Sequence, residues 1–357
     1  MYMGFVSSMT DLKDIPCSGY KMVSSFSGCG GSCLGFKSAG FDVLSAIEFI
    51  PEAAKTYKAN FPGTFVYEAD IRDLHGSDIL SRFSLKRGEL DVFEGSPPCS
   101  DFSTQRQSKS GKERGKFKVY SETKQRVDDL FLEYARMLNE ICPKVFVAEN
   151  VANLVNEGEY FSKFIDVLSK SNEIGYNVGY KVYDFSSLGV PQSRKRVIII
   201  GVRKDFNIMP KLPDFDLPVV TTREAIEDLI DTAPDIEMTD IERKYCKLVP
   251  VGADVSYLSM LREKYGLKIM LFNHRRDMWD KPHATLVHNT RHIHQLRNRW
   301  LTVAEGKRLC SFPDDFILTG TSSQQWERIG RAVPPLAYYR IAEYIKSDIL
   351  SKLERCF

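Results

Sequence analysis

The sequence lacks the features that mark membrane, secreted and zinc-binding proteins. It contains no run of 18 apolar residues, and residues 1–15 do not combine a basic segment with an apolar one, so we expect neither a membrane span nor a signal peptide. The eight cysteines form no CxxC pair, and no group of cysteines and histidines has zinc-ligand spacing. We therefore expect a cytoplasmic protein with reduced thiols and no metal.

The chain also lacks an excess of charge of either sign, because 49 basic residues face 47 acidic ones. Basic residues nevertheless cluster in two segments. Residues 104–118 hold six basic residues and one acid, and residues 261–299 hold nine basic residues and three acids. A charged run is usually a solvated surface, but two such segments in a near-neutral chain favour a polyanionic partner without deciding it.

Short apolar stretches alternate with helix-like stretches through the first 203 residues. The stretches of strand type are 21–26, 42–48, 64–67, 90–94, 145–148, 180–183 and 197–202. One stretch of helical type ends at about residue 39, and a second begins at residue 51. Two more span residues 128–140 and 160–169. This alternation predicts an α/β fold with a doubly wound, mainly parallel sheet. It stops after about 204, which predicts a second, smaller and irregular domain, and helical patterns return at 302–309 and 335–349.

A glycine-rich turn, residues 26–31 (FSGCGG), follows the first predicted strand and precedes a helix. Glycines there let the backbone turn tightly and approach a ligand at the helix N-terminus, although many tight turns have the same composition. Glu48 and Asp70 follow the second and third strands. Carboxylates at these strand ends can accept hydrogen bonds from ribose hydroxyls and an exocyclic amine, or simply lie on the surface.

A thiol follows two prolines just beyond the fourth strand, in residues 95–99 (GSPPC). Open α/β sheets bind ligands at the carboxyl ends of their strands, so Cys99 is a candidate nucleophile. The alternative is a buried structural cysteine, which is the commoner role of this residue. The basic segment that follows Cys99 directly argues against burial.

Two further motifs follow the same logic. Glu149 ends the apolar run 145–148, where a low dielectric favours a protonated acid that can donate a hydrogen bond. Arg194 and Arg196 are two residues apart, so in an extended segment they point the same way and can grip a base carbonyl and a phosphate. A capping carboxylate and a charged strand start are the alternatives.

Taken in this order, the four motifs resemble those of the cytosine carbon-5 DNA methyltransferases of bacterial restriction–modification systems. Further segments of family type are 300–305 (WLTVAE), 308–313 (RLCSFP) and 330–335 (GRAVPP). The resemblance covers nearly the whole chain outside about 205–285. It implies the S-adenosylmethionine-dependent methyltransferase fold.

The resemblance also implies a role for each motif residue. Cys99 would add to carbon 6 of cytosine, and Glu149, Arg194 and Arg196 would line the cytosine pocket. Residues at the strand ends and in the C-terminal loop would hold S-adenosylmethionine, which leaves as S-adenosylhomocysteine: Phe26, Gly28, Gly30, Gly31, Glu48, Phe49, Asp70, Ile71, Pro98 and Val333. No metal takes part in this chemistry.

The resemblance further implies the organisation and the partners of the protein. Residues 1–203 plus 328–357 would form the catalytic and cofactor-binding domain, and residues 204–327 a smaller domain with the target-recognition region at about 205–285. Double-stranded DNA would be the substrate, with the target base flipped out under the basic 100–118 loop. The protein would be a nucleoid-associated monomer, with a cognate restriction endonuclease as a functional partner outside any stable complex.

The chain departs from the family pattern at several positions: Ser24 replaces the usual Asp, Ser100 and Cys310 replace Gln, and Arg331 replaces Asn. Arg331 lies near the implied cofactor pocket, so it bears on cofactor affinity more than on chemistry.

Three other functions agree with parts of the pattern. The first is a tRNA cytosine carbon-5 methyltransferase of the same fold, which would use identical catalytic residues. The second is a catalytically silent DNA-binding relative, against which the complete set of Cys99, Glu149 and Arg194 argues. The third is a nicotinamide-linked oxidoreductase, but the chain lacks a full GxGxxG motif and the two prolines before Cys99 would have no purpose.

Overall fold

The computed structural model describes residues 5–98, 117–120, 123–127, 129–230, 238–253, 255–266, 275–288 and 291–353. The predictions for Cys99, for Ser100 and for most of the 100–118 loop therefore lie outside the described residues. Within the described part of the chain, no helix is both long enough and apolar enough to cross a bilayer.

Eleven strands and twelve helices are described, together with short 3-10 and π-helical turns. The strands are β1 (Lys21–Ser25), β2 (Asp42–Ile47), β3 (Phe65–Tyr67), β4 (Val92–Gly95), β5 (Phe117–Val119), β6 (Lys124–Arg126), β7 (Val145–Val151), β8 (Tyr176–Asp184), β9 (Gln192–Ser193), β10 (Lys195–Arg203) and β11 (His283–Ala284). The helices are α1 (Gly31–Ser38), α2 (Pro51–Asn60), α3 (Gly76–Arg82), α4 (Leu130–Ile141), α5 (Glu159–Ser169), α6 (Thr222–Ile226), α7 (Asp240–Leu248), α8 (Val255–Tyr265), α9 (Val303–Leu309), α10 (Ser322–Arg331), α11 (Pro335–Tyr344) and α12 (Ser351–Leu353).

Seven of the strands form one sheet in the order β3-β2-β1-β4-β7-β10-β8. The first five are parallel to one another, and β10 runs antiparallel to both β7 and β8. The strand order reverses between β1 and β4, and such a switch point opens a crevice at the carboxyl ends of the strands. The predicted α/β fold with a doubly wound, mainly parallel sheet is confirmed.

Apolar side chains cover both faces of this sheet, as a doubly wound fold requires. Along β10, Ile198 and Ile200 pack into one core while Val197 and Ile199 pack into the other. Helices α1 and α11 contribute to the first core, and α3, α4 and α5 to the second. The alternation follows from the two-residue period of a strand and explains why these strands are continuous apolar runs in the sequence.

The C-terminal helix α11 packs directly on α1 near the start of the chain. A glycine makes this close approach possible, because a Cβ atom at Gly35 would lie 2.6 Å from both the Pro335 carbonyl oxygen and the Tyr339 amide nitrogen. The region after 204 contains the short helices α6, α7 and α8, and a small core of its own around Tyr245, Val249 and Trp300. The domain boundaries inferred from the sequence stay a prediction.

Candidate functional site

A cavity of about 580 Å³ opens at the carboxyl ends of β1, β2, β4 and β7. Eleven of the residues singled out in the sequence line it: Phe26, Gly28, Gly31, Glu48, Phe49, Ile71, Pro98, Glu149, Arg194, Arg196 and Val333. They come from segments more than 300 residues apart in the chain. The sheet brings most of them together because its parallel strands end at this edge and the antiparallel strand β10 begins there.

One end of the cavity is built by the turns after β1 and β2. Phe26 has a φ of +53°, a conformation that non-glycine residues rarely adopt and that clusters at functional sites. Phe26, Phe49 and Ile71 give this end apolar walls.

Glu48 supplies the buried acid of this end. Its carboxylate accepts hydrogen bonds from the backbone N–H groups of Gly28 (2.6 Å) and Ile50 (2.7 Å), and burial raises its pKa. Each carboxylate oxygen can accept a second hydrogen bond, so Glu48 can still bind a pair of hydroxyl groups.

The cavity closes where α1 meets the loop before α11. A Cβ atom at Gly31 would lie 2.2 Å from the carbonyl oxygen of Val333, so only glycine permits this contact. Gly28 has a φ of +55° and nothing within 4 Å of where a Cβ would be, which leaves space beside the turn. The two glycines therefore serve different purposes, close packing at Gly31 and a left-handed turn at Gly28.

Two predicted cofactor residues do not line this cavity. Gly30 lies behind the turn with a φ of +93°, and a Cβ there would lie 2.5 Å from the ring of Phe61. The Asp70 carboxylate accepts hydrogen bonds from Arg72 and from Gln125 Nε2 (3.0 Å). Their direct contacts with a cofactor stay predictions, and the geometry gives each a supporting role at the site.

The other end of the cavity holds the carboxylate and the two arginines. Arg196 Nε lies 2.8 Å from Glu149 Oε1, and both side chains are largely buried. The sequence favoured an isolated, protonated acid at Glu149, whereas the structure holds this carboxyl group as half of an ion pair. The reason is the register of β10 on β7, which pairs Arg196 with Val151 and Ile198 with Glu149 and so brings the Arg196 side chain within reach.

Arg194 is held differently from Arg196. It is 4% exposed, and its Nη1 donates to the carbonyl oxygens of Leu286 (3.3 Å) and Gly330 (3.4 Å). Burial and the neighbouring Arg196 lower the pKa of Arg194 to about 10, which still leaves it charged at neutral pH. Its guanidinium group is thus a fixed cation in the cavity wall.

The segment that leads to Cys99 is tied to the same strand end as Glu149. Asn150 Nδ2 donates to the carbonyl oxygen of Pro97 (3.1 Å), and Pro98 lines the cavity. Asn150 was not singled out from the sequence. Its position next to Glu149 could have indicated a role in the site, because a strand end that carries one polar side chain often carries a second one beside it.

Tyr120 and Gln125, from the β5–β6 hairpin, also line the cavity, although neither was singled out from the sequence. The Arg331 guanidinium lies 4.5 Å from the centre of the Tyr120 ring, and its Nε is 2.9 Å from Glu327 Oε1. Burial raises the pKa of Tyr120 to about 12, so it is a neutral aromatic group here. Arg331, which stands where the family usually has Asn, therefore contacts an aromatic ring above the cofactor end of the cavity.

The replacement at Ser24 also has a visible consequence. Ser24 Oγ donates to Glu94 Oε2 (2.7 Å) on the neighbouring strand β4, and Ser32 Oγ lies 3.1 Å from the same oxygen. Glu94 is 1% exposed. A carboxyl group thus lies beside this position although the residue at 24 is serine.

At position 310, where cysteine replaces the usual glutamine, Cys310 Sγ accepts a hydrogen bond from Gln192 Nε2 (3.2 Å).

Comparison with known proteins gives a consistent result. The family described as C-5 cytosine-specific DNA methylase matches residues 20–347. The chain is 31% identical over 343 residues to the Type II methyltransferase M.NgoFVII of Neisseria gonorrhoeae, covering 91% of this chain and 86% of that protein. It is 30% identical over 357 residues to the Type II methyltransferase M.Sau96I of Staphylococcus aureus, covering 94% and 77%.

The fold is similar to that of solved methyltransferase structures. A DNMT2 variant from Spodoptera frugiperda superposes with a TM-score of 0.62 at 17% identity, and the alignment covers 94% of this chain and all of that one. At this identity the likeness describes the fold alone.

Proposed function

Because the chain belongs to the C-5 cytosine-specific DNA methylase family and is a DNA methyltransferase, we propose that it methylates carbon 5 of a flipped-out cytosine within a specific double-stranded DNA sequence. S-adenosylmethionine would be the donor, and the reaction would pass through a covalent adduct with Cys99. One observation carries the proposal: a buried carboxylate and two arginines share a single cavity with an apolar, acid-bearing pocket at its other end.

The cofactor end of the cavity suits an adenosyl ligand in shape and chemistry. The volume of the whole cavity lies within the range of small-molecule sites. The walls of the cofactor end include the rings of Phe26 and Phe49, and Glu48 keeps acceptor capacity for ribose hydroxyls. When bound, S-adenosylmethionine supplies an electrophilic methyl group. Phe26, Glu48 and Phe49 would hold its adenosine part, and the loop at Val333 its amino-acid part.

The residues at the other end have the properties that attack on cytosine requires. Addition of the Cys99 thiolate to carbon 6 makes carbon 5 nucleophilic, and negative charge then develops on the ring. The fixed cation Arg194 would stabilise that charge at the ring carbonyl. Arg196 keeps Glu149 in position until the base arrives. Glu149 would then take up a proton and donate it to ring nitrogen 3 as the thiolate adds. After the methyl group is transferred and S-adenosylhomocysteine is formed, loss of the carbon-5 proton to a base would break the bond to Cys99, release its thiolate and restore the ring, and the proton at nitrogen 3 would return to Glu149.

Cys29 is a thiol of the described residues that lines the cavity, but it is poorly suited to act as the nucleophile. Burial raises the pKa of Cys29 to about 12, so this group stays a thiol at neutral pH. Since the thiolate is the nucleophilic form, Cys29 would not compete with Cys99.

The names of the relatives favour a role in a restriction–modification system. We propose that the protein works as a cytoplasmic monomer on nucleoid DNA and protects its recognition sites against a cognate endonuclease without forming a stable complex with it. Resistance of DNA from expressing cells to an endonuclease of the mapped specificity would support this role.

The decisive experiment compares the protein with its Cys99→Ala variant. Each is incubated with unmethylated DNA and S-adenosylmethionine, and 5-methylcytosine is mapped at base resolution. We expect methylation within one sequence motif by the original chain and none by Cys99→Ala, while DNA binding persists in both. Cys17→Ala, which removes an exposed thiol, is the matched control and should methylate normally.

Two outcomes contradict the proposal. Undiminished methylation by Cys99→Ala would refute the role of the nucleophile. Methylation of tRNA without methylation of DNA would refute the substrate and favour an RNA methyltransferase of the same fold.

A further inference from the structure

A cluster of metal-binding side chains lies outside the cavity described above. Asp277, His283 and His292 are 4%, 0% and 1% exposed, and each offers one ligand atom within 4.8 Å of the others. Asp277 Oδ2 lies 3.3 Å from His283 Nε2 and 3.3 Å from His292 Nδ1. The three residues are six and nine positions apart in the sequence, a spacing that matches no zinc motif and that only the folded chain closes up.

One ring nitrogen of His283 faces no hydrogen-bond donor among the described residues. Its Nδ1 lies 2.8 Å from the carbonyl oxygen of Ala284, which can only accept, so Nδ1 carries the hydrogen. In a neutral imidazole Nε2 is then an acceptor, and it faces the Asp277 carboxylate, which is also an acceptor. His283 Nε2 has no hydrogen-bond partner among the residues that the structure describes. Two buried acceptors at this distance repel each other unless a cation lies between them.

The two distances from Asp277 agree with a tetrahedral zinc site, and the two histidine ligand atoms lie within 4.8 Å of each other. With Zn–N and Zn–O bonds of about 2.0–2.2 Å, neighbouring ligands of a tetrahedral ion lie roughly 3.3–3.5 Å apart. Both distances from Asp277 Oδ2 meet this value. Two imidazoles and one carboxylate are also a ligand set that suits zinc rather than magnesium or calcium.

The groups around the three ligands are those that hold metal ligands in place. The His283 Nδ1–H group donates to a backbone carbonyl, which fixes both the tautomer and the ring orientation. Arg275 Nε lies 2.6 Å from Asp277 Oδ1, whereas Oδ2 faces both histidines and lies within hydrogen-bonding distance of His292 Nδ1, a contact that a bound ion would replace. We propose that Asp277, His283 and His292 bind a divalent transition-metal ion, zinc by the chemistry of the ligands, with a water molecule as the fourth ligand.

The position of the cluster gives this ion a structural purpose. His283 lies in β11, which pairs with Gln192 of β9, immediately before the arginine pair of the cavity. Asp277 and His292 line a second cleft of about 730 Å³ together with Lys195, Arg196 and other basic side chains. The ion would tie Asp277, His283 and His292 together, and so hold β11 in place where it pairs with β9, just before Arg194 and Arg196. Its water ligand would be reached from this basic cleft. The proposal does not depend on the methylation reaction.

The test measures metal binding directly on the full-length chain, produced without a histidine tag and stripped with a chelator. We expect it to bind one Co²⁺ per chain, with the visible absorption bands of a four-coordinate ion and without the near-ultraviolet band of a sulfur–cobalt bond. Zn²⁺ should displace the Co²⁺ and raise the melting temperature. His283→Gln and Asp277→Asn should each weaken Co²⁺ binding by more than about tenfold.

The matched control is His75→Gln, which removes an exposed histidine and should leave binding unchanged. Absence of stoichiometric binding by the original chain would overturn the proposal, whether or not the variants fold. A sulfur–cobalt band, or equal binding by His283→Gln and the original chain, would overturn it as well, because the ion would then occupy a cysteine site or another position.

Discussion

Glu94 gives the sharpest quantitative prediction, because it is a buried carboxyl group with no cationic partner among the residues that the structure describes. It lies in β4 beneath the glycine-rich turn and accepts hydrogen bonds from Ser24 and Ser32. Burial raises its pKa from the ordinary 4.5 to about 7, and the neighbouring Glu149 acts in the same direction. The folded protein therefore holds a proton on Glu94 at pH values where the unfolded chain has lost it.

The sign and size of the effect on stability follow from this difference. A raised pKa in the folded state stabilises the protein below the unfolded value of 4.5, and this contribution is lost as the pH rises through about 7. Between about pH 5 and pH 8 the loss amounts to roughly 2.5 kcal/mol, since one pKa unit corresponds to about 1.4 kcal/mol.

The assay is urea unfolding followed by far-ultraviolet circular dichroism at both pH values. Glutamine at position 94 keeps the size and the acceptor oxygen but cannot ionise. We therefore expect the original chain to lose about 2.5 kcal/mol more than Glu94→Gln between the two pH values. The exposed Glu157→Gln variant should follow the original chain. Equal losses for the original chain and Glu94→Gln would refute the reasoning and show that Glu94 ionises freely in the folded state.

Two predictions concern the walls of the cofactor end. Gly31→Ala places a Cβ 2.2 Å from the Val333 carbonyl oxygen and should cost about 1–3 kcal/mol of stability and weaken S-adenosylhomocysteine binding in calorimetry, whereas Gly63→Ala, where the space is open, should not. Tyr120→Ala removes the ring that faces Arg331 and should weaken the same binding by about tenfold, corresponding to roughly 1–2 kcal/mol, while Tyr120→Phe keeps the ring and the affinity. Unchanged affinity in Gly31→Ala or in Tyr120→Ala would mean that the residue does not shape the bound cofactor's site.

The sequence by itself determined the fold class and most of the cavity. The alternation of strands and helices was a clear signal in the sequence because buried strands are continuous apolar runs. The polar residues that follow such strands must gather at one edge of a parallel sheet. That is why Glu48 and Glu149 could be placed in one site from the sequence, whereas Arg194, which precedes its strand, was placed there by the family resemblance. Helix α3 was missed because two turns of helix carry too little periodic signal, and α10, with ten residues, was missed as well.

Only the tertiary structure decided which side chains meet. The ion pair of Arg196 with Glu149 depends on the register between β10 and β7, and the contact of Tyr120 with Arg331 joins segments about 200 residues apart. The approach of Asp277, His283 and His292 depends on how irregular segments fold over β9. Sequence patterns report the period of an element and the residue at its end, whereas these contacts depend on distances between elements, which no local pattern encodes.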